Sequence, residues 1–393
     1  MIRSQKNSIS VLSLFSGGGF LDLGFMNQGF QIEGACEINE KFIFAYNSAL
    51  TGYVAITNNP FLKKKIVRHN DISESTDVSS IETQKKIASL YKGVTGIIGG
   101  PPCQDYSIGG KNKGIQGERG KLILSYYNIV AQVKPLFLLF ENVEGLYRTK
   151  AHNIGFTQMI NNLQDLGYSL WFDIINPLNY GFPQDRPRVI VVAFRNEVIE
   201  TLLSNGYIHE MDNEVLKRTE SPHYIFKWPK IIFEDPKKSI SWPKKWDFGS
   251  EVLETEVSRI PQEYNSLLVK NYIDDLNNSI PNQNEVFNPI SDKFLRIQEG
   301  DTNRKSFKRI HRYRYSPTVA YGNNEVHLHP TEPRRLTVRE ALRIQTVPDT
   351  YILPRDIPLS TKFKMISNGV PSGQAELIAK EIRITLEKYF NLV

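Results

Sequence analysis

The first half of the chain alternates short apolar runs with amphipathic stretches, and this rhythm restricts the fold more than any other feature. Residues 10–15, 32–37, 66–71, 94–98, 136–140, 170–175 and 189–194 have the character of strands. Several are apolar throughout, as strands covered on both faces must be. Between them, residues 39–50, 81–91, 122–133 and 154–166 repeat their apolar positions at helical spacing. Such alternation predicts an α/β fold with a doubly wound, mostly parallel sheet. Ligands bind such sheets beyond the C-terminal ends of the strands, so the residues following each run are the ones to inspect.

After Arg195 the texture changes. The chain becomes richer in Asn, Pro, Ser and Lys up to about Pro330, and periodicity weakens. Trp228, Trp242 and Trp246 fall here and are expected in the core of a second, smaller, irregular or β-rich domain. Thr337 and Glu340 have capping-box spacing before a helix at 337–345, and another helix is expected at 373–390. The expected division is residues 1–195, completed by 352–393, and residues 196–351. A length of 393 residues accommodates two domains.

Composition removes whole classes. The 48 basic and 42 acidic residues leave a net charge of +6, which permits a nucleic-acid partner without requiring one. Cys36 and Cys103 are the two cysteines, too few for a disulfide scaffold or a four-cysteine zinc site, and no metal is expected. Reduced thiols fit a cytoplasmic protein. No apolar run approaches the roughly 18 residues of a membrane span, and no signal-type block opens the chain.

The first strand ends in Phe15-Ser16-Gly17-Gly18-Gly19-Phe20, a turn that lets a ligand approach backbone amides at a helix N-terminus. Glu37 ends the second strand 20 residues after Gly17, the place of a carboxylate gripping ribose hydroxyls. Asp71 ends the third. An adenosine-containing ligand is expected. Asp22 breaks the GxGxxG dinucleotide pattern, which disfavours a dehydrogenase. S-adenosylmethionine, having no pyrophosphate to cradle, fits better.

The fourth strand runs into Gly99-Gly100-Pro101-Pro102-Cys103, placing a thiol on a proline-stiffened loop at the ligand edge. Nearby positive charge or a helix N-terminus would favour its nucleophilic thiolate. The glycine-rich stretch that follows, carrying Lys111, Lys113 and Arg119, suits a basic lid over a phosphate backbone. Glu141-Asn142-Val143 ends the very apolar fifth strand, where a carboxyl could be dry and its pKa raised. Arg186 and Arg188 immediately precede another buried strand.

Together these residues resemble the C5-cytosine DNA methyltransferase family. LFSGGG is similar to its first motif, GGPPCQDYS to its nucleophile motif, and Glu141-Asn142-Val143 to its ENV motif. QDRPR resembles QxRxR, RRLTVREALRIQ the motif flanking target recognition, and Asn368-Gly369-Val370-Pro371 the last motif. The resemblance covers about residues 10–195 and 316–390, in the family's order. Ser13 stands where many members have Asp, and Phe20 replaces a frequent glycine.

The resemblance implies a class I S-adenosylmethionine-dependent methyltransferase fold and methylation of C5 of a flipped-out cytosine in a specific duplex DNA sequence. Cys103 would add to C6. Glu141 would hold N3 and the exocyclic amine, and Arg188 would hold O2 with Arg186 in support. Asn142 and Pro102 would shape the pocket. For S-adenosylmethionine it implies Phe15 and Ile38 against adenine, Glu37 on ribose, Asp71 and Ile72 at the adenine edge, and Leu122 lining the pocket. Ser16, Gly17 and Gly19 form the turn, and Asn368 would lie near the methionine moiety. Within this frame Arg304, Lys308, Arg309, Arg312 and Arg314 are expected to contact DNA together with Lys111 and Arg119. A restriction–modification setting with a separate cognate endonuclease is implied. An RNA cytosine-5 methyltransferase and a catalytically silent DNA-binding protein on the same fold remain open.

Overall fold

The computed structural model describes residues 9–57, 76–102, 120–207, 216–217, 226–288, 292–319, 321 and 326–392. Strands β1 (Ser10–Leu14), β2 (Gln31–Cys36), β3 (Gly96–Gly99), β4 (Phe137–Val143) and β5 (Tyr168–Ile175) follow the expected runs. They are joined by helices α1 (Phe20–Asn27), α2 (Glu40–Ile56), α3 (Ile81–Leu90), α4 (Gly120–Val133), the single turn α5 (Gly145–Arg148) and α6 (Lys150–Asp165). A two-residue strand β6 (Gln184–Asp185) precedes β7 (Arg188–Arg195), helix α7 (Asn196–Ser204) and strand β8 (Leu216–Lys217). The expected strand at 66–71 lies outside the described residues.

One sheet with strand order β2-β1-β3-β4-β7-β5-β8 organises the chain. Its apolar runs are explained by what covers it. Phe137 and Leu139 of β4 face one core with α1 and α2, whereas Leu138 and Phe140 face the other with α4 and α6. Neighbouring residues on a strand point to opposite faces, so a strand buried on both has no position for a polar residue. β1 pairs in parallel with β2 on one side and β3 on the other, which opens the switch-point crevice above β1 and β3.

β7 is antiparallel to both β4 and β5. A residue preceding β7 therefore lies at the same sheet edge as residues that follow the parallel strands. This topology brings Arg186 and Arg188 beside Glu141.

The middle of the chain is sparse in regular structure, as its composition suggests. It contains α8 (Glu254–Val257), α9 (Lys270–Ile273) and the two-residue strands β9 (Lys308–Arg309), β10 (Ser316–Pro317) and β11 (His327–Leu328). Trp246 is buried and Trp228 nearly so, while Trp242 packs half-buried on Tyr264 and Tyr315. α7 begins where the second domain was expected, yet Val198, Ile199 and Leu202 pack into the core of the main sheet. β8 extends that sheet by pairing with β5. The C-terminal helices are α10 (Val338–Ile344), α11 (Leu359–Asn368) and α12 (Ser372–Tyr389). Thr337 and Glu340 form the expected capping box on α10, and α12 packs along α1. No helix among the described residues is long and apolar enough to cross a membrane.

Candidate active site

The turn after β1 is built from strained and glycine-dependent backbone. Phe15 has φ 57°, Gly17 φ 56° and Gly19 φ 72°, all in the left-handed region. A Cβ at Gly19 would lie 2.7 Å from the Tyr46 ring, so both conformation and space exclude a side chain there. Glu37 closes the turn from β2. Its carboxylate accepts hydrogen bonds from the backbone amides of Gly17 (3.0 Å), Ile38 (3.0 Å) and Asn39 (2.9 Å). This locks the carboxylate at the mouth of the turn. Ile38 beside it is 60% exposed, an apolar side chain left open to the crevice.

Across the crevice, Gly99 ends β3 and lies in register with Leu14 of β1 and Phe140 of β4. Gly100, Pro101 and Pro102 therefore emerge beside Glu141. A Cβ at Gly100 would sit 2.6 Å from Glu141 Oε2, so glycine is required for the carboxylate to occupy its place. Asn142 Nδ2 donates to Pro101 O (3.0 Å) and fixes the path of the proline segment.

Glu141 is buried and forms an ion pair with Arg188, Nε to Oε1 3.2 Å. Burial raises the pKa of Glu141, and the charges of Arg188 and Arg186 oppose that rise. Arg186 is fully buried. Its Nη1 donates to Val319 O (3.4 Å) and its Nη2 to Ser367 O (2.9 Å), while its Nε has no partner among the described residues. It thus ties the sheet edge to the middle region and to α11 while presenting positive charge beneath Glu141.

One cleft of about 490 Å³ contains most of the expected site. Phe15, Ser16, Gly17, Glu37, Ile38, Leu122 and Asn368 line its cofactor end, and Pro102, Glu141, Asn142, Arg186 and Arg188 its other end. Gly18 lines the cleft, whereas Gly19 lies beneath it as the cap of α1. Ser13, Asp22, Gly100 and Lys364 also belong to it, although the sequence assigned them no role. The available signal was Ser13, a hydroxyl set between Leu12 and Leu14 in a mostly apolar strand. Cys103, Asp71, Ile72, Lys111 and Arg119 lie outside the described residues. A larger cavity of about 960 Å³ adjoins the cofactor end and is bounded by Tyr321, His327 and Arg335. Among the described residues no His, Cys, Asp and Glu cluster could hold a metal ion.

The basic run at 304–314 divides in two. Arg309, expected on DNA, is instead fully buried, and its guanidinium donates to the carbonyls of Phe294, Ile297, His329 and Glu332. These bonds leave it facing the interior. Arg312 is bidentate on the buried Glu299, with Nε and Nη2 at 3.1 and 3.0 Å. Arg304 is exposed beside Asp301, and Lys308 and Arg314 remain partly exposed. On α10, Arg339 is buried against carbonyls and Arg343 is paired with Asp349.

The chain is similar over nearly its whole length to known modification enzymes. It is 37% identical to the type II methyltransferase M.NmeDI of Neisseria meningitidis serogroup C, over 99% of this chain and 87% of that protein. It is 28% identical to M.MthTI of Methanothermobacter thermautotrophicus, over 98% and 100%. In fold it is similar to the Dnmt2 methyltransferase of S. pombe, with TM-score 0.57, 16% identity and coverage of 97% and 98%. The Entamoeba histolytica methyltransferase EhMeth gives TM-score 0.56 at 16% identity, covering 98% and 99%. The profile of C-5 cytosine-specific DNA methylases matches residues 9–383. With a glycine turn, a buried Glu–Arg pair and the Gly100-Pro101-Pro102 segment at one edge of such a sheet, the chain belongs to the C-5 cytosine-specific DNA methylase family.

Proposed function

We propose that the protein methylates C5 of cytosine within a specific duplex DNA sequence, using S-adenosylmethionine and a covalent adduct on Cys103. The observation that carries this reading is the single cleft, which joins a ribose-gripping turn at one end to a buried carboxylate–guanidinium pair at the other. A methyl donor and a planar base could meet there.

Bound S-adenosylmethionine supplies an electrophilic methyl group on a sulfonium. Phe15 and Ile38 would flank the adenine, and the family resemblance assigns Asp71 and Ile72 to its edge. Glu37 would receive the ribose hydroxyls, and Ser16, Gly17, Gly19, Leu122 and Asn368 would complete the pocket. At the base end, the Cys103 thiolate forms a bond to C6 of the extruded cytosine. Glu141, whose burial favours uptake of a proton, shares that proton with N3 as the ring is activated and accepts from the exocyclic amine. Arg188 holds O2. The electron density gathered at C5 takes up the methyl group. Loss of the C5 proton to a base then expels Cys103 and restores the aromatic ring. Extrusion costs a few kcal/mol, supplied by the pocket and by contacts to the DNA backbone.

Within residues 196–351, the part beyond α7 and β8 supplies target recognition in this reading, with Arg304, Lys308 and Arg314 turned to the phosphates. A restriction endonuclease acting separately on the same sequence is the implied partner. Bisulfite sequencing of plasmid DNA from cells expressing the protein tests the function. Protected cytosines at one recurring sequence support it, and unprotected DNA with methylated RNA would replace it with the RNA reading.

A further inference from the structure

Beneath the glycine turn lies a carboxylate that the reaction does not use. Asp22 on α1 is fully buried, and each of its oxygens is held by a hydroxyl. Ser13 Oγ of β1 donates to Oδ1 at 2.7 Å, and the Tyr46 hydroxyl of α2 donates to Oδ2 at 2.6 Å. The Tyr46 ring is the surface against which Gly19 packs. A second tyrosine, Tyr351, donates to Gly18 O from the other side. The turn thus rests on two tyrosines, one of which is anchored by Asp22.

We propose that Asp22 is a positioning residue for the methyl donor: by holding Ser13 and Tyr46 it fixes the shape of the turn and so raises donor affinity. This inference rests on the cofactor reading above.

Proton counting shows which form of Asp22 the site requires. Two short contacts take two protons, and the two hydroxyls supply both. A protonated carboxyl brings a third, which a contact accommodates only if its hydroxyl turns from donor to acceptor and gives up the charge-assisted bond. Burial nonetheless pushes the pKa of Asp22 up to about 6, against the pull of both hydroxyls. The elements around it carry Tyr46 and Tyr53 of α2, Tyr351, Cys36 of β2, and Glu376 and Arg383 of α12. Burial raises the three tyrosines and pushes Cys36 up to about 12. Glu376 is bound to Asn27 and Gln28, and Arg383 to Gln28 O. Glu37 at the mouth is bound to backbone amides. Asp22 is thus the group at the centre of this packing that changes charge in mildly acidic solution.

The test is calorimetric titration of the full-length protein with S-adenosylmethionine at pH 8 and pH 5.5. Wild type should bind about fourfold more weakly at the lower pH, because only the ionised fraction holds the turn. Asp22→Asn should bind more weakly than wild type at pH 8 and lose the difference between the two pH values. Its kcat at saturating donor should stay within about twofold of wild type. Leu386→Ala, a core change on α12, should lower the melting temperature and leave donor affinity intact. The inference is overturned if Asp22→Asn binds like wild type, keeps the wild-type pH response or loses kcat at saturation. It is equally overturned if Leu386→Ala weakens donor binding as much. Wild type that binds no donor at either pH would instead remove the cofactor reading itself.

Discussion

Arg188 of β7, opposite Val143, reaches diagonally to Glu141 of the antiparallel neighbour β4, with Nε 3.2 Å from Oε1 and both side chains nearly buried. Removing one partner of such a pair leaves a charge in a dry site, at a cost of about 3–5 kcal/mol. Arg188→Leu should therefore destabilise the protein by an amount of that order and abolish methyl transfer. Adding Glu141→Gln should restore stability without activity. Denaturant unfolding of the single and double variants checks this, and a double variant no more stable than Arg188→Leu alone contradicts it.

Gly100 has no room for a side chain, since a Cβ would stand 2.6 Å from Glu141 Oε2. Gly100→Ala must displace the carboxylate or the proline segment leading to Cys103. A displacement near 1 Å costs about a hundredfold in rate when reacting groups are preorganised. Single-turnover methylation should fall by about that factor while S-adenosylmethionine affinity holds, because the cofactor end is built on β1 and β2. A variant losing affinity and retaining rate would place Gly100 in the wrong half of the cleft.

His327 is fully buried, and neither ring nitrogen has a hydrogen-bond partner among the described residues. Burial, with the nearby Lys308 charge adding to it, pushes its pKa down to about 3. The unfolded chain, at about 6.5, then binds a proton that the folded one refuses, so stability falls as pH drops below 6.5. At pH 5 this amounts to about 2 kcal/mol. His327→Phe keeps the ring against Tyr321 and removes the titration. Its stability relative to wild type should improve by about that amount between pH 8 and pH 5. Equal differences at the two pH values would mean that His327 is protonated or hydrated in the fold.

Much of the catalytic half could be read from the chain because its physics is local. Runs such as residues 136–140 are apolar at every position, and that alone marks a strand covered on both faces. Glycines at 17 and 19 mark a turn whose left-handed backbone other residues rarely adopt. What the sequence hid depends on partners far away in the chain. Nothing near Arg309 reveals that four carbonyls from 294 to 332 need a donor, so its charge resembled a surface feature. Nothing near Arg188 gives the direction of β7, although that direction is what carries the guanidinium to Glu141. The partnership of Ser13 with Asp22 and Tyr46 likewise needs α1 and α2 folded onto β1 before it exists. α7 was missed because its start coincides with a change in composition, while Val198, Ile199 and Leu202 belong to the earlier core.

The most direct test of the covalent route is incubation of the protein and S-adenosylmethionine with duplex DNA carrying 5-fluorocytosine at the methylated position. After methyl transfer, fluorine at C5 cannot leave as the proton does, so the enzyme should remain bonded to the DNA through Cys103. The account predicts a denaturation-resistant complex with wild type and none with Cys103→Ser, which should still bind S-adenosylmethionine. Methylation of ordinary DNA by Cys103→Ser, or release of the fluorinated duplex by an otherwise active wild type, would contradict it.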